Sequence, residues 1–570
     1  MGSALPVRSF SQKSRVTDGS AAIFAGVSEQ TAPPVAATPA APVGGRGRGG
    51  GAVLVAAGIL LSRLAGLVRQ SVFGHFLGTS DAADAYNAAF KIPNFLQNVL
   101  GEGVLSASFI PVYAALRAEG REDEARKVAG AVAGLISLVT TIFTLLGVLA
   151  TPWLIAAIAP GFTGEKRELT ILLVRIFFPG TALLVLSAFC LGVLNSHHRF
   201  FLSYAAPVVW SAAQVAALIL GGRGWRLGPA DLAVVTAWGA VAGAFLQVFV
   251  QVPAVLALLG GRLRLSLGRA SAHVREVVRS FLPVVAGRGV VQLSAYIDNV
   301  IASWLPSGMV AALAYAQTLY TLPVSLFGMS ISAAALPSMS AAQGTSEKLR
   351  EQLASGLRAI AFPVVPSVIA FLAFGDVAVA ALFRGGRFTP QDVRDVWLIL
   401  AGSTVGLLAA TLARLYSSTF YALRDTRTPL KYASLRVLLT AALGVVCGLW
   451  LPRALHLDPK LGAVGLTASA GVAGWVEFAL LRRGIARRVG KADVPAGLLV
   501  RLWAAAIGAG VAGMGVRFLF AGLPATRLAA VVKAAAVFGC FGAVYLLLAL
   551  ALDVPEASAA VQRARRVLRR

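Results

Sequence analysis

Arg63, Arg69, Asp84, Lys91, Glu102, Arg288, Asp298 and Arg414 stand inside runs of residues otherwise apolar enough to dissolve in hydrocarbon. A charge in such surroundings is costly unless it faces a polar cavity or a partner, so these positions are where function is to be sought. The four arginines occupy three separate runs, and the carboxylates beside them are too few to neutralise every cation. A cationic cavity suits an anionic ligand, and the planar guanidinium fork pairs bidentately with phosphate.

Each charge taken alone also has a plainer reading, as a snorkelling side chain near a helix end or a member of a structural ion pair. Lys91 and Asp84 suit that reading best. Arg63 lies deeper in its run than Arg69, and a six-residue spacing turns about 240° round a helix, so the two need not share one narrow stripe. Pro93, Gly101 and Gly103 are placed to interrupt the helix that carries Asp84, Lys91 and Glu102. Enzymatic chemistry has little support. The five histidines form no HExxH motif and there is no Walker A loop. Cys190, Cys447 and Cys540 each sit in an apolar run without CxxC or histidine spacing, so neither a disulfide, a metal site nor a cofactor is expected.

The elements that must position these charges follow from composition. Hydrophobic residues make up 57% of the 570 and charged residues only 13%, about half the share in soluble domains. Apolar runs at about 52–75, 84–116, 128–157, 168–195, 201–221, 230–259, 279–305, 310–338, 355–383, 392–422, 430–451, 461–481, 496–520 and 527–552 are each long enough to cross a bilayer. The fold class expected is an all-α polytopic membrane protein of about 14 transmembrane helices. The ten-residue alternation of a transmembrane barrel is not found. Residues 1–50, rich in Ala, Pro, Gly and Ser, read as a disordered tail.

The net charge of +26 is topological information and not a nucleic-acid footprint, because the basic residues cluster in alternate loops. One set of loops holds Arg117, Arg121, Arg126, Arg262, Arg264, Arg424, Arg427, Arg482, Arg483 and the C-terminal arginines, and the opposite set is sparser. By the positive-inside rule both termini are cytoplasmic. The second and eighth runs end alike, in Phe109-Ile110-Pro111 and Ala335-Leu336-Pro337. The stretch Leu194 to Arg199 after the fourth matches Leu423 to Arg427 after the tenth. An internal repeat follows, giving six-helix lobes over 51–260 and 261–482, then two additional helices and a basic tail over 483–570. Repeats of even helix number are parallel and place a substrate site between them.

Ser62-Arg63-Leu64-Ala65-Gly66-Leu67-Val68-Arg69, Asp84-Ala85-Tyr86, Phe90-Lys91-Ile92-Pro93-Asn94, Gly101-Glu102-Gly103 and Ser106 to Pro111 resemble the N-terminal signature of the lipid II flippase family (MurJ, also called MviN). Phe420 to Pro429 resembles that family's motif after the tenth helix. The likeness runs from about residue 52 to the C-terminus. It implies the multidrug/oligosaccharidyl-lipid/polysaccharide exporter fold in the bacterial inner membrane, with two pseudo-symmetric lobes around a cationic cavity. It also implies a groove for a polyprenyl tail on the last two helices. By the same resemblance Arg63 and Arg69 match functional arginines, Arg414 falls where a basic residue is common, and Asp84 and Glu102 match acidic positions. With the other intramembrane charges this makes Arg63, Arg69, Arg288 and Arg414 candidate substrate-binding residues, and Asp84, Lys91, Glu102 and Asp298 structural or gating ones. The chain departs from the pattern at Gln97 and Thr318, where an arginine is often found, and Arg288 is the candidate replacement.

The function this implies is a flippase that carries a polyprenyl-diphosphate-linked peptidoglycan precursor between leaflets by alternating access. Its partners would be the lipid-linked sugar, membrane lipids and a coupling ion. The alternatives are a flippase for another lipid-linked oligosaccharide, a cation-coupled drug exporter of the same superfamily, and a non-transporting membrane scaffold. A drug exporter calls for intramembrane acidic and aromatic groups, whereas arginine dominates here.

Overall fold

The computed structural model describes residues 49–261, 263–266, 271–342, 346–522, 524 and 526–568. The tail expected over 1–50 lies outside these residues except for its last two, which open the first helix. The helices are α1 Gly49–Leu77, α2 Asp81–Ala118, α3 Glu122–Ile158, α4 Gly164–Ser196 and α5 Phe200–Gly224. They continue as α6 Pro229–Leu258, α7 Ala272–Ser303, α8 Met309–Ala341, α9 Ser346–Phe383 and α10 Pro390–Ala422. The chain closes with α11 Arg427–Ala454, α12 Leu461–Val489, α13 Ala496–Leu519, α14 Arg527–Ala551 and α15 Pro555–Leu568. Among the described residues no strand occurs beyond an isolated bridge between Gly385 and Phe388.

All of these but α1, α7 and α15 are long and apolar enough to cross a membrane, which makes twelve candidate spans among the described residues. The other two long helices, α1 and α7, have 29 and 32 residues. Several helices overrun their apolar runs: α3 begins at Glu122 and α9 at Ser346, because a helix continues into polar residues once its backbone is paired. The C-terminal stretch that hydropathy leaves as a tail forms α15, whose apolar positions recur at helical spacing among arginines.

Local sequence sets the helix starts. The Ser80 hydroxyl accepts from the Ala83 amide at the start of α2, and Thr526 does the same for Ala529 at α14. Thr389 and Asp392 form a capping box at α10, with Thr389 N donating to the Asp392 carboxylate at 2.7 Å. At the centre of α2 the helix breaks at Gly101, where an added Cβ would meet the Gln97 carbonyl oxygen at 2.2 Å.

The same helix pairings occur twice. In the first six helices α4 packs on α2, α3 and α6, and α5 on α6; in the next six, α10 packs on α8, α9 and α12, and α11 on α12. The turns after α4 and α10 share a residue in the left-handed region, His198 at φ 58° and Arg424 at φ 59°. Each is closed by a wide-ring backbone bond, Arg199 N to Leu194 O and Asp425 N to Phe420 O. The same offset separates Pro111 from Pro337, so the repeat signals in the sequence and in the backbone agree. Helices α13 and α14 pack on each other and against α9.

Small residues let helix backbones touch, which is how helices associate where lipid removes any hydrophobic gain. At the α10–α12 crossing a Cβ on Gly406 would lie 2.5 Å from Gly471 Cα. Outward faces carry Leu145, Leu149, Trp153, Phe249, Val511 and Leu528, all exposed, as a lipid-facing surface requires. Gly406→Val should therefore destabilise the protein by about 1–3 kcal/mol through overpacking. A lowered Tm in detergent checks this, and the exposed Leu438→Ala on α11 should leave Tm almost unchanged.

Candidate functional site

Two groups of polar residues join the first six helices to the next six. One closes an end of the molecule and the other lines a cavity beneath it.

At the closed end Asp84, 1% exposed, accepts from the amides of Gly308 at 2.7 Å and Ala311 at 2.7 Å, so a carboxylate of α2 caps the N-terminus of α8. Its Oδ2 is also 2.5 Å from Lys166 Nζ of α4, and that ammonium reaches Asp81 at 2.8 Å. Gly308 has φ 89°, and a Cβ there would stand 2.3 Å from the Thr79 carbonyl oxygen. Further bonds cross at this end: Tyr315 Oη donates to Gly78 O at 2.8 Å, Arg387 N to His75 O at 2.8 Å, and Thr79 Oγ1 to the Asp392 carboxylate. Asn299 and Ser303 of α7 likewise bond to Ile158 O and Gly161 N.

The cavity has a volume of about 870 Å³ and is walled by both groups of helices. Arg63 and Arg69 enter it from α1, Lys91, Asn94 and Gln97 from α2, and Asp298 from α7. Thr318 of α8, Arg414 of α10, Arg436 of α11 and Glu477 of α12 complete the charged and polar wall. Arg63 Nη1 donates to Ser325 Oγ at 3.4 Å, reaching a π-helical turn at Val324–Met329 inside α8. Arg69 Nη1 donates to Gln214 Oε1 at 3.2 Å, and its guanidinium carbon lies 4.9 Å from the Trp210 ring centre. Tyr86 Oη donates to the same Gln214 oxygen at 3.0 Å. The partners of Arg63 and Arg69 are thus neutral. Their charge is held in place without being cancelled. Arg69 Nε and Asp298 Oδ1 are buried without a hydrogen-bond partner, and such groups carry the full cost of desolvation until something meets them.

Of the eight charges singled out by sequence, Arg63, Arg69, Lys91, Asp298 and Arg414 share the cavity. Asp84 belongs to the closed end instead. The side chains of Glu102 and Arg288 lie outside the described residues. Gln97 and Thr318 do line the cavity, and both are neutral. Arg436 and Glu477 escaped sequence reading, although both stand in apolar runs and the criterion that found Arg414 applies to them equally. Among the described lining residues there are five cations and two carboxylates.

The profile of the lipid II flippase MurJ family matches residues 73–532. The chain belongs to this family. A lipid II flippase MurJ of Burkholderia cenocepacia is 30% identical over 440 residues, covering 75% of this chain and 82% of that protein. A probable lipid II flippase MurJ of Rhizobium meliloti is 32% identical over 429 residues, covering 74% and 77%. Among solved structures, a lipid II flippase MurJ in an inward closed conformation superposes with a TM-score of 0.70 at 21% identity, over 87% of this chain and 98% of that one. An inward-facing multidrug resistance MATE family transporter of the MOP superfamily gives 0.63 at 18% identity, over 76% and 98%. The fold is the MurJ and MATE fold, and the chain is a multi-pass protein of the bacterial inner membrane.

Removing the Asp84 charge while keeping its shape should weaken the closed end, since breaking a buried pair costs about 3–5 kcal/mol. In a background without native cysteines, a cysteine placed at Thr318 should label faster with a membrane-impermeant thiol reagent in Asp84→Asn than in the parent. An unchanged rate would show that the cap does not hold the two groups of helices together.

Proposed function

We propose that the protein moves lipid II between the leaflets of the inner membrane by alternating access, with the diphosphate held in the cationic cavity and the polyprenyl tail left in lipid. The observation that carries this reading is the excess of cations on a cavity shared by both groups of helices, with Arg63 and Arg69 held by neutral partners. A diphosphate meets an arginine fork with paired, charge-assisted hydrogen bonds. Lipid II flipping is what the names of the relatives state.

In this reading α1 to α14 are fourteen crossings, the lobes are 51–260 and 261–482, and 483–570 adds α13, α14 and a basic end. Both termini lie in the cytoplasm, as the arginine-rich loops require. The end closed by Asp84 is then the outer one, and the headgroup enters from the cytoplasmic side. Rocking the lobes breaks the Asp84 cap and exposes the headgroup outside. Arg63, Arg69 and Arg414 bind substrate, with Arg288 as a further candidate, while Lys91, Glu102 and Asp298 adjust the charge and packing around them. The same cations hold the ligand in both states, so the direction of transport comes from a separate input such as membrane potential or a counter-ion.

Arg63→Ala should abolish complementation of a flippase-depleted strain at normal expression. Full complementation by a protein of normal abundance overturns the substrate role of Arg63.

A further inference from the structure

Among the described residues some ion pairs are forked and others use a single nitrogen. Arg517 grips Asp376 with two guanidinium nitrogens, at 2.8 and 3.1 Å, and Arg482 grips Asp493 with two, at 2.6 and 2.6 Å. These are forked pairs that bolt one helix or loop to the next. Arg436 and Glu477 form a pair of another sort. A single nitrogen, Nη1, meets Glu477 Oε2 at 3.1 Å, and the pair sits on the cavity wall. The exposure is lopsided. The carboxylate side chain is 6% exposed and the arginine 30%, so the acid is the more deeply buried partner of a pair that lines the cavity with both residues. One of five N–H groups is spent on the acid.

We infer that Arg436 is a further diphosphate ligand and that Glu477 is its resident counter-ion, whose place in the fork the ligand takes during transport. This rests on the proposed transport of a diphosphate-linked lipid. Arg436 belongs to α11, whereas Arg63 and Arg69 belong to α1, so a diphosphate bound by both spans the two groups of helices. The physical role of Glu477 is to moderate affinity. A further uncompensated arginine beside Arg63 and Arg69 would add to the cost of the empty cavity and tighten its hold on a diphosphate that must be released. A carboxylate beside it offsets that cost and repels the ligand's negative charge once the ligand is bound. A carrier needs binding strong enough for entry and weak enough for exit, and Glu477 sets that balance. A merely structural pair predicts that loss of either partner harms folding and binding together; a counter-ion predicts opposite signs for the two.

The test uses the full chain purified in lipid nanodiscs, titrated with farnesyl diphosphate as a soluble prenyl diphosphate and with farnesyl monophosphate as control. Glu477→Gln should bind the diphosphate about fivefold more tightly or better, and Arg436→Gln more weakly by a similar factor. In reconstituted vesicles Glu477→Gln should flip lipid II more slowly despite its tighter binding. Arg436→Gln/Glu477→Gln removes both partners at once, guards against a folding defect in either single variant, and should bind like Arg436→Gln. If the parent binds the diphosphate and Arg69→Gln weakens it, but the Arg436 and Glu477 variants bind as the parent does, the inference fails and the proposed function stands. If the parent does not prefer diphosphate to monophosphate, the proposed function fails and the inference with it.

Discussion

Hydrocarbon offers no hydrogen bonds and does not stabilise charge, and that single property of the solvent organises this molecule. Backbone groups must be paired within the segment, which leaves helices as the crossing elements for a chain this apolar. Charged side chains must be turned away from lipid. Among the described residues the long helices carry Leu, Phe and Trp outward, and the interior is where charges within them escape lipid. The cavity of about 870 Å³ is where that exclusion collects Arg63, Arg69, Lys91, Arg414 and Arg436. Its cationic character is therefore in the first place a packing result.

Two kinds of contact hold the helices together, and their difference is mechanical. Within each group of six, helices meet along broad faces, with backbones as close as at Gly406 and Gly471. Such packing is dense and does not deform continuously. Between the groups, the closed end depends on a short set of directional bonds centred on Asp84, Lys166 and the N-terminus of α8. A carboxylate capping a helix in the other group is strong while its geometry holds and is lost at once when the helix moves away. Stiff units joined by breakable polar contacts are what rocking motion requires.

The cavity itself is neither a neutral slot nor a fully charged one. Gln214 and Trp210 hold Arg69 without cancelling it, Glu477 partly compensates Arg436, and Gln97 and Thr318 add neutral polar groups to the wall. Moderated charge suits a carrier, because a ligand that must leave cannot be bound as tightly as a full ring of arginines would bind it.

Much of this was legible from the chain alone. Apolar runs located the long helices, since a membrane span has to be continuous in sequence, but missed some ends by six to nine residues where the helix continues into polar sequence. The matched endings at Pro111 and Pro337 exposed the repeat. Arg63, Arg69 and Arg414 stood out because charge in hydrocarbon is conspicuous wherever it occurs. Tertiary structure decided what a linear reading could not: that Asp84 caps α8 from another helix, that Gln214 and Trp210 are the partners of Arg69, and that Arg436 and Glu477 reach the same cavity. Solvent acts on each segment separately, so sequence reports which residues must avoid lipid. Which residues then meet depends on how helices far apart in the chain pack, and no local pattern encodes that.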